Sequence, residues 1–421
     1  MVRLLIGTVR QAVLGAALGA ALGVALPTPQ AMAANDFYAI VDLRAVAADG
    51  VRSFLNGGLG ELRFDDQHDG VRLGSVSIGY RHDLFDIVHF TADTVAYGDH
   101  DRSPLDLTEI YAEVRPYPWN SWRSRLKLGV FYAPISLENR LQGWRSAYSL
   151  SPSAINTWIG EEFRTIGAEY DLDWLGRQRG HDWEFGATAA AFGWNDFSGA
   201  LLAISGWAIH DRQTTLFGRV GEPDGGPISG LREFHRDDDQ RLGYYLGGTA
   251  KYLDALELRV LHYDNRANPN TFSYALHDFA WRTMFNSAGV RWTPTDRWTV
   301  IAQWLAGRTV TGDSGFNDAE RTDYYGFEFH AAFVLVSWQR GADRLSGRYD
   351  GFEMHQTLSD DFFNTDRGHA WTFAYERQLN KSWSVVVEAL QIDSSLALRS
   401  EIGEPIAARE RELQLAVRFQ L

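Results

Sequence analysis

The chain contains no cysteine in 421 residues, which removes disulfide frameworks, thiolate metal sites and cysteine nucleophiles. Lysine is almost missing as well, limited to Lys127, Lys251 and Lys381, and 54 acidic residues outweigh 40 basic ones for a formal charge of −14. With no basic tract to neutralise a phosphate backbone, the sequence argues against a nucleic-acid partner. Long apolar runs are scarce too. Beyond residue 34 the longest, 331–338, is broken by Ser337, well short of the roughly 20 residues a membrane helix requires. What the chain does have is aromatic: 24 Phe, 17 Tyr and 15 Trp among 45% hydrophobic residues, too apolar for a disordered chain.

Residues 1–33 read as an address. Arg3 and Arg10 precede an apolar stretch from Ala12 to Leu26, followed by Pro27, Pro29 and Ala31-Met32-Ala33. That order matches a secretory signal peptide with an A-x-A cleavage site, its apolar core being short for a span. The mature chain is expected to start at 34 and to work outside the cytoplasm.

The remainder alternates with period two over segments of about ten residues, the spacing of strands with two unlike faces. Leu413, Leu415, Val417, Phe419 and Leu421 share one face, against Gln414, Ala416, Arg418 and Gln420. Leu126, Leu128, Val130 and Tyr132 repeat the pattern, as do Trp183, Phe185, Ala187 and Ala189, and Trp383, Val385, Val387 and Ala389. Tyr325, Phe327, Phe329 and Ala331 are assigned to an apolar face with Glu328 opposite. A water-soluble barrel would bury its apolar face, whereas here the other face carries Arg, Glu, Asp and Gly. Because lipid admits only helices or closed barrels, the expected fold class is all-β, a transmembrane antiparallel β-barrel over 34–421.

Sixteen strands are expected, at 36–46, 71–80, 85–97, 105–115, 123–133, 163–173, 182–193, 241–252, 255–265, 281–293, 297–309, 323–338, 343–354, 368–379, 383–394 and 410–421. A further hairpin from 201–209 and 214–220 would make 18. Every second connection is short, beginning with 81–84, and the others are mostly long, including 134–162 and 194–240. This sorting is that of bacterial outer-membrane barrels, with short periplasmic turns and long extracellular loops.

Such a barrel encloses an aqueous channel, whereas about eight strands fill their own interior. Alternation aims Glu109, Glu113, Arg115, Arg123, Arg125, Lys127, Arg259, Arg344 and Arg348 at the lumen, together with Glu169, Asp171, Glu184, Lys251, Glu257, Glu328, Asp350, Glu376, Glu388 and Arg418. If the hairpin at Trp119 pairs Arg115 with Arg123, then Glu113 faces Arg125. The loop 134–162 carries Arg140, Trp144, Tyr148, Glu161 and Glu162. It is too aromatic for a solvated tip, and folding inward would let it narrow the pore. The 194–240 loop, with Trp207, His210, Asp211 and Arg212, is a second candidate.

Catalytic signals are weak. There is no G-x-S-x-G, H-E-x-x-H or Walker loop, and the pairs His82-Asp83, His181-Asp182, His210-Asp211 and His277-Asp278 read as turn residues. Asp65-Asp66-Gln67-His68-Asp69-Gly70 starts like a calcium loop but has Val76 at its twelfth position. It and Asp237-Asp238-Asp239 read as solvated loop tips, so neither a metal nor a cofactor is expected. The rival readings are an outer-membrane barrel enzyme and a surface-binding structural barrel.

Taken together, the leader, the alternating strands, the long third loop and the terminal Val417-Arg418-Phe419-Gln420-Leu421 resemble the Gram-negative outer-membrane porins. The stretch from Leu107-Thr108-Glu109 through Leu128-Gly129-Val130-Phe131 and Pro134 to Asn139 is similar to the phosphate-selective porin O and P group. The porin resemblance implies passive diffusion of small hydrophilic solutes or ions, a homotrimer, and a home among outer-membrane lipid and lipopolysaccharide. The narrower one implies anion uptake through a lysine-rich interior. Only fold and passive diffusion are carried over, and no ligand residue is.

Overall fold

The computed structural model describes residues 35–98, 105–218, 235–274, 278–312, 324–358 and 364–421. The leader expected at 1–33, His277 and the end of the optional strand at 219–220 lie outside these residues.

Sixteen antiparallel strands close into one barrel. They are β1 (Asn35–Asp49), β2 (Gly70–Phe85), β3 (Val88–Ala96), β4 (Leu105–Val114), β5 (Trp122–Tyr132), β6 (Arg164–Trp174), β7 (Trp183–Gly193) and β8 (Gly243–Tyr252), then β9 (Leu256–Asp264), β10 (Trp281–Thr295), β11 (Trp298–Gly312), β12 (Tyr324–Arg340), β13 (Asp343–Leu358), β14 (Thr365–Gln378), β15 (Trp383–Leu396) and β16 (Ala407–Gln420). Each is bonded to its neighbour in sequence, and β16 returns to β1 with Leu43 opposite Val417 and Ala45 opposite Leu415. Closure leaves no unpaired edge, the condition for a sheet in hydrocarbon.

All sixteen expected strands are present. Two boundaries differ in a way that matters. Residues 81–84, expected as a turn, extend β2, and the turn is Asp86-Ile87. The optional hairpin does not form. Ala200–Ser205 is a short helix instead. Its Ala-Leu-Leu-Ala-Ile run favours helix, and it lies between Gly199 and Gly206, whose φ of 97° and 73° suit glycine.

The outer surface of β16 is apolar, with Leu413, Leu415 and Val417 39–53% exposed while Glu412, Gln414 and Ala416 between them are at most 4% exposed. Trp183, Trp292, Trp298 and Trp383 stand exposed toward the short-turn end, and Trp304, Tyr349 and Trp371 lie farther along the strands. An outward apolar band edged by aromatics is the mark of a transmembrane barrel.

On β12 the expected faces are reversed. Phe327, Phe329, Ala331, Phe333 and Leu335 are buried, while Glu328 and His330 are exposed. Glu328 therefore points out of the barrel, where it meets His355 at 3.5 Å, as His330 meets Glu353 at 3.6 Å. The reason lies inside. Trp158 and Trp207, both from inward-folded loops, pack edge-on to Phe329 with ring centroids 4.9 and 6.3 Å away, so this stretch of inner wall is dry. Tyr132, expected to face outward with Leu128, is likewise buried, stacked on Trp144 at 4.3 Å.

Candidate pore and its inward loop

The connection from β5 to β6 enters the barrel and is held from several sides. At its base Arg259 donates to the carbonyls of Pro134 and Ser136 at 2.9 and 3.2 Å. Gln303 reaches the Ile135 carbonyl at 3.3 Å. Arg140 makes a two-pronged pair with Glu257, both contacts at 2.8 Å, the planar geometry a guanidinium favours. Asn139–Leu141 then folds back on Arg145–Ser146 as a small ribbon, and helix α1 (Ala154–Glu162) follows, its first turn capped by Ser153.

The far side is gripped by the inner faces of β13 and β15. Arg348 donates to Glu138 at 2.9 Å, to the carbonyls of Ser151 and Pro152 at 2.8 and 2.9 Å, and to Asp350 at 2.7 Å. Glu388 accepts the Leu150 and Ser151 amides at 2.6 and 3.1 Å, and Asp350 accepts that of Ala154 at 3.1 Å. Glu138 also ties the loop to itself, accepting from Ser153 N and Asn156 Nδ2 at 3.0 Å each. Buried donors and charges are thus paired, as a low-dielectric interior demands.

A second loop packs onto the first. Glu162 at the end of α1 accepts the Gly199 and Leu201 amides at 2.9 and 3.0 Å and the Trp158 indole at 2.5 Å, placing a carboxyl at the start of α2 (Ala200–Ser205). Burial pushes Glu162 up to about 8, against the pull of these donors. Glu161 pairs with His210 at 2.9 Å. Asp211 bridges Arg44 at 2.5 Å and Arg63 at 2.9 Å. Burial works to raise it, but the two guanidinium groups hold it well below the usual carboxylate range. Trp207 closes the cluster beneath β12 and β13, its indole donating to the Glu353 carbonyl at 3.2 Å.

The other expected lumen residues divide by exposure. On β4 to β6 the register places Glu113 opposite Lys127, and Lys127, Arg125 and Arg123 opposite Glu169, Asp171 and Asp173. The expected pairing of Glu113 with Arg125 is therefore off by two residues, although Arg125 still reaches Glu113 diagonally at 3.3 Å. Arg115 pairs with Glu113 and Arg123 with Asp173, both arginines about half exposed. Lys127 is buried, 3.1 Å from Glu169 and 4.8 Å above the Phe131 ring. Glu109 caps the Tyr132 amide at 3.0 Å. Arg344 lies 5.2 Å above the Tyr148 ring.

Two spaces remain beside the inward loop. One of about 370 Å³ is lined by Arg115, Arg123, Arg125, Lys251, Arg259 and Pro134 among others, with Asp171 and Asp173 as its acids. The other, about 30 Å³, lies between the loop and the β1–β3 wall, where Arg44, Ser77, Tyr97, Trp144, Arg145 and Gln213 meet. Its size is that of one or two waters. Sequence reasoning missed Glu138, for which no local signal exists. It also missed Asp42 and Arg44, whose alternation with Leu43 was readable.

Asp66 is exposed at a turn, but other acids of these loops are tied into the fold. Asp65 accepts from Ser53 N at 2.9 Å and Asn56 Nδ2 at 3.1 Å. Asp196, Asp237 and Asp239 bring carboxylate oxygens within 4.8 Å, but backbone amides of Asp238, Gln240 and Asn268 already donate to them. They brace the approach to β8.

No protein-family model matches the sequence, and no curated protein matches it. Solved structures do match in fold. The loop L8 deletion mutant of OmpT, an outer membrane protein of Vibrio cholerae, aligns with TM-score 0.50 at 8% identity, over 92% of this chain and 99% of its own. The outer membrane channel DcaP of Acinetobacter baumannii gives 0.50 at 12% over 92% and 97%, and Salmonella typhi OmpF, in complex with daunomycin, 0.50 at 10% over 92% and 97%. At these identities the likeness establishes the fold alone, a closed sixteen-strand antiparallel barrel.

Proposed function

We propose that the protein is an outer-membrane porin, a channel for passive diffusion of small hydrophilic solutes or ions. The observation that carries this reading is the charged wall of β4 to β9 around the 370 Å³ space. It is lined by charged side chains while the opposite interior is packed with aromatics. The half-exposed arginines there favour anions, the part of the phosphate-porin resemblance that survives a lumen poor in lysine: Lys127 is buried and Lys381 sits in a turn outside the barrel wall. The inward loop, anchored to the wall by Arg259 and Arg348, narrows the barrel and sets a small size limit. No catalysis is assigned. A homotrimer belongs to the same reading, in line with a trimer form of the Vibrio cholerae protein.

The packed interior favours one alternative, a closed structural barrel. Planar-bilayer recording separates the two. Stepwise openings with a reversal potential displaced in unequal KCl support the channel, and a silent bilayer from correctly folded protein favours the structural barrel.

A further inference from the structure

The outer wall of β14 to β16 carries positive charge just beyond its apolar band. Arg367 and His369 on β14 and Arg409 and Arg411 on β16 are exposed, alternating with the buried Asp366, Ala370, Glu410 and Glu412, so they point away from the lumen. Between them β15 presents Gln391 and Asp393, in register with Trp371 and His369 on one side and with Arg411 and Arg409 on the other. Asp393 accepts one bond from Arg409 Nε at 2.5 Å, and Gln391 one from Arg411 Nε at 3.1 Å. These contacts orient both guanidinium groups and leave their terminal nitrogens without a hydrogen bond among the described residues. The local count is three arginines and a histidine against two aspartates, Asp393 and the exposed Asp49, which lies opposite Arg411 on β1.

Two open depressions of about 600 and 580 Å³ follow one another along this wall. The first is lined by Arg367, His369 and Arg409. The second is mostly apolar, floored by Ala47 and Ala389 and walled by Trp371, Phe373 and Leu413, with Arg411 and Asp49 at its rim. The strands forming it have 14 residues each, more than the roughly 9 to 11 needed to cross the hydrocarbon, so their loop ends reach headgroup depth. Cationic side chains on a lipid-facing wall are tolerated there and penalised nearer the middle.

We propose that this face binds a phosphorylated, multiply acylated lipid of the surrounding leaflet. Arg367, Arg409 and Arg411 take its phosphate through charge-assisted bonds, and one acyl chain lies in the groove between Trp371 and Leu413. The ordering of the two depressions, basic then greasy, matches the order of groups in such a lipid. Free phosphate matches only the first.

The test uses the folded full chain in detergent, with purified bisphosphorylated lipid A as probe and native mass spectrometry as readout. Lipid A should stay bound to the unaltered protein. The R367Q/R409Q/R411Q variant should bind about a hundredfold more weakly, each arginine near an anionic surface contributing about fivefold. Removing both phosphates from the lipid should have the same effect, and W371A should weaken lipid A without changing the response to inorganic phosphate. Equal binding by the triple variant, or competition by inorganic phosphate as effective as lipid A, overturns the proposal. If the triple variant does not fold, R409Q and W371A decide singly by the same criteria. Channel recordings of these variants should be unchanged, so this test and that of the channel fail independently.

Discussion

Arg348 Nη1 lies 2.9 Å from Glu138 Oε1, an ion pair between residues 210 apart in the chain with both side chains buried. It joins the inner wall of β13 to the loop that crosses the lumen. The same guanidinium holds two loop carbonyls, so wall and loop share one anchor.

Cutting that anchor should free the loop. R348A leaves Glu138 and Asp350 as buried carboxylates without their cation, a loss of about 3 to 5 kcal/mol for one partner of a buried pair. We expect a lower thermal midpoint with the barrel still closed, and larger, noisier single-channel currents. An unchanged midpoint and conductance would show that the loop is held elsewhere.

The junction between α1 and α2 should respond to pH. Glu162 lies at about 8, above its ordinary 4.5, because burial disfavours the charged form. A group raised in this way stabilises fully below its unfolded value and loses that contribution as pH rises through its folded one. Docking of the second loop should weaken from about pH 4.5, where the undocked carboxyl ionises, to about pH 8, where the docked one does, read as increased quenching of the Trp158 and Trp207 fluorescence. E162Q, neutral throughout, should show no such change, and an identical response in E162Q would remove Glu162 as the cause.

Ion preference should depend on the exposed arginines rather than on the buried lysine. Reversing Arg123 to Glu, or Arg115 to Glu, should shift the zero-current potential toward cation preference in unequal KCl. Lys127→Gln should instead remove the nearer of the two cations beside buried Glu169, leaving Arg125 at 3.5 Å, and so lower stability with little change in selectivity. A selectivity shift from Lys127→Gln matching that of Arg123→Glu would reverse this assignment.

Gly199 is predicted to be intolerant of a side chain. Its φ is 97°, and an added Cβ would fall 2.1 Å from Thr283 Oγ1 and 2.5 Å from Thr309 Oγ1. G199A should therefore cost about 1 to 3 kcal/mol. The loss should appear as proteolytic sensitivity in the 194–240 loop before any loss of the barrel. Wild-type resistance in G199A would refute the tight docking of α2.

Strand positions were legible because the period-two signal survives wherever the outer face meets lipid, as at Leu413 to Val417. What sequence could not show was which face of β12 is which. Phe327 and Phe329 inside, and Val334 and Val336 outside, are equally greasy. The deciding fact is the presence of Trp158 and Trp207 in the lumen, delivered by distant loops. For the same reason Glu161 and Glu162, grouped together from sequence, do different things, one pairing with His210 and the other capping a helix where an optional further hairpin had been the alternative. Alternation aims Arg259, Arg344 and Arg348 inward, and in the structure they lie against the 134–162 loop. Their partners, loop carbonyls and the Tyr148 ring, belong to tertiary structure alone.

The seam where β16 meets β1 makes the barrel an all-or-none object. Every strand before the last has a neighbour waiting, yet until Leu413 to Phe419 arrive beside Val41 to Ala47 two raw margins of amide and carbonyl groups stay open. A half-built cylinder cannot shelter those margins in oil. Insertion must therefore either complete the circle or be guided by something that lends it a temporary edge.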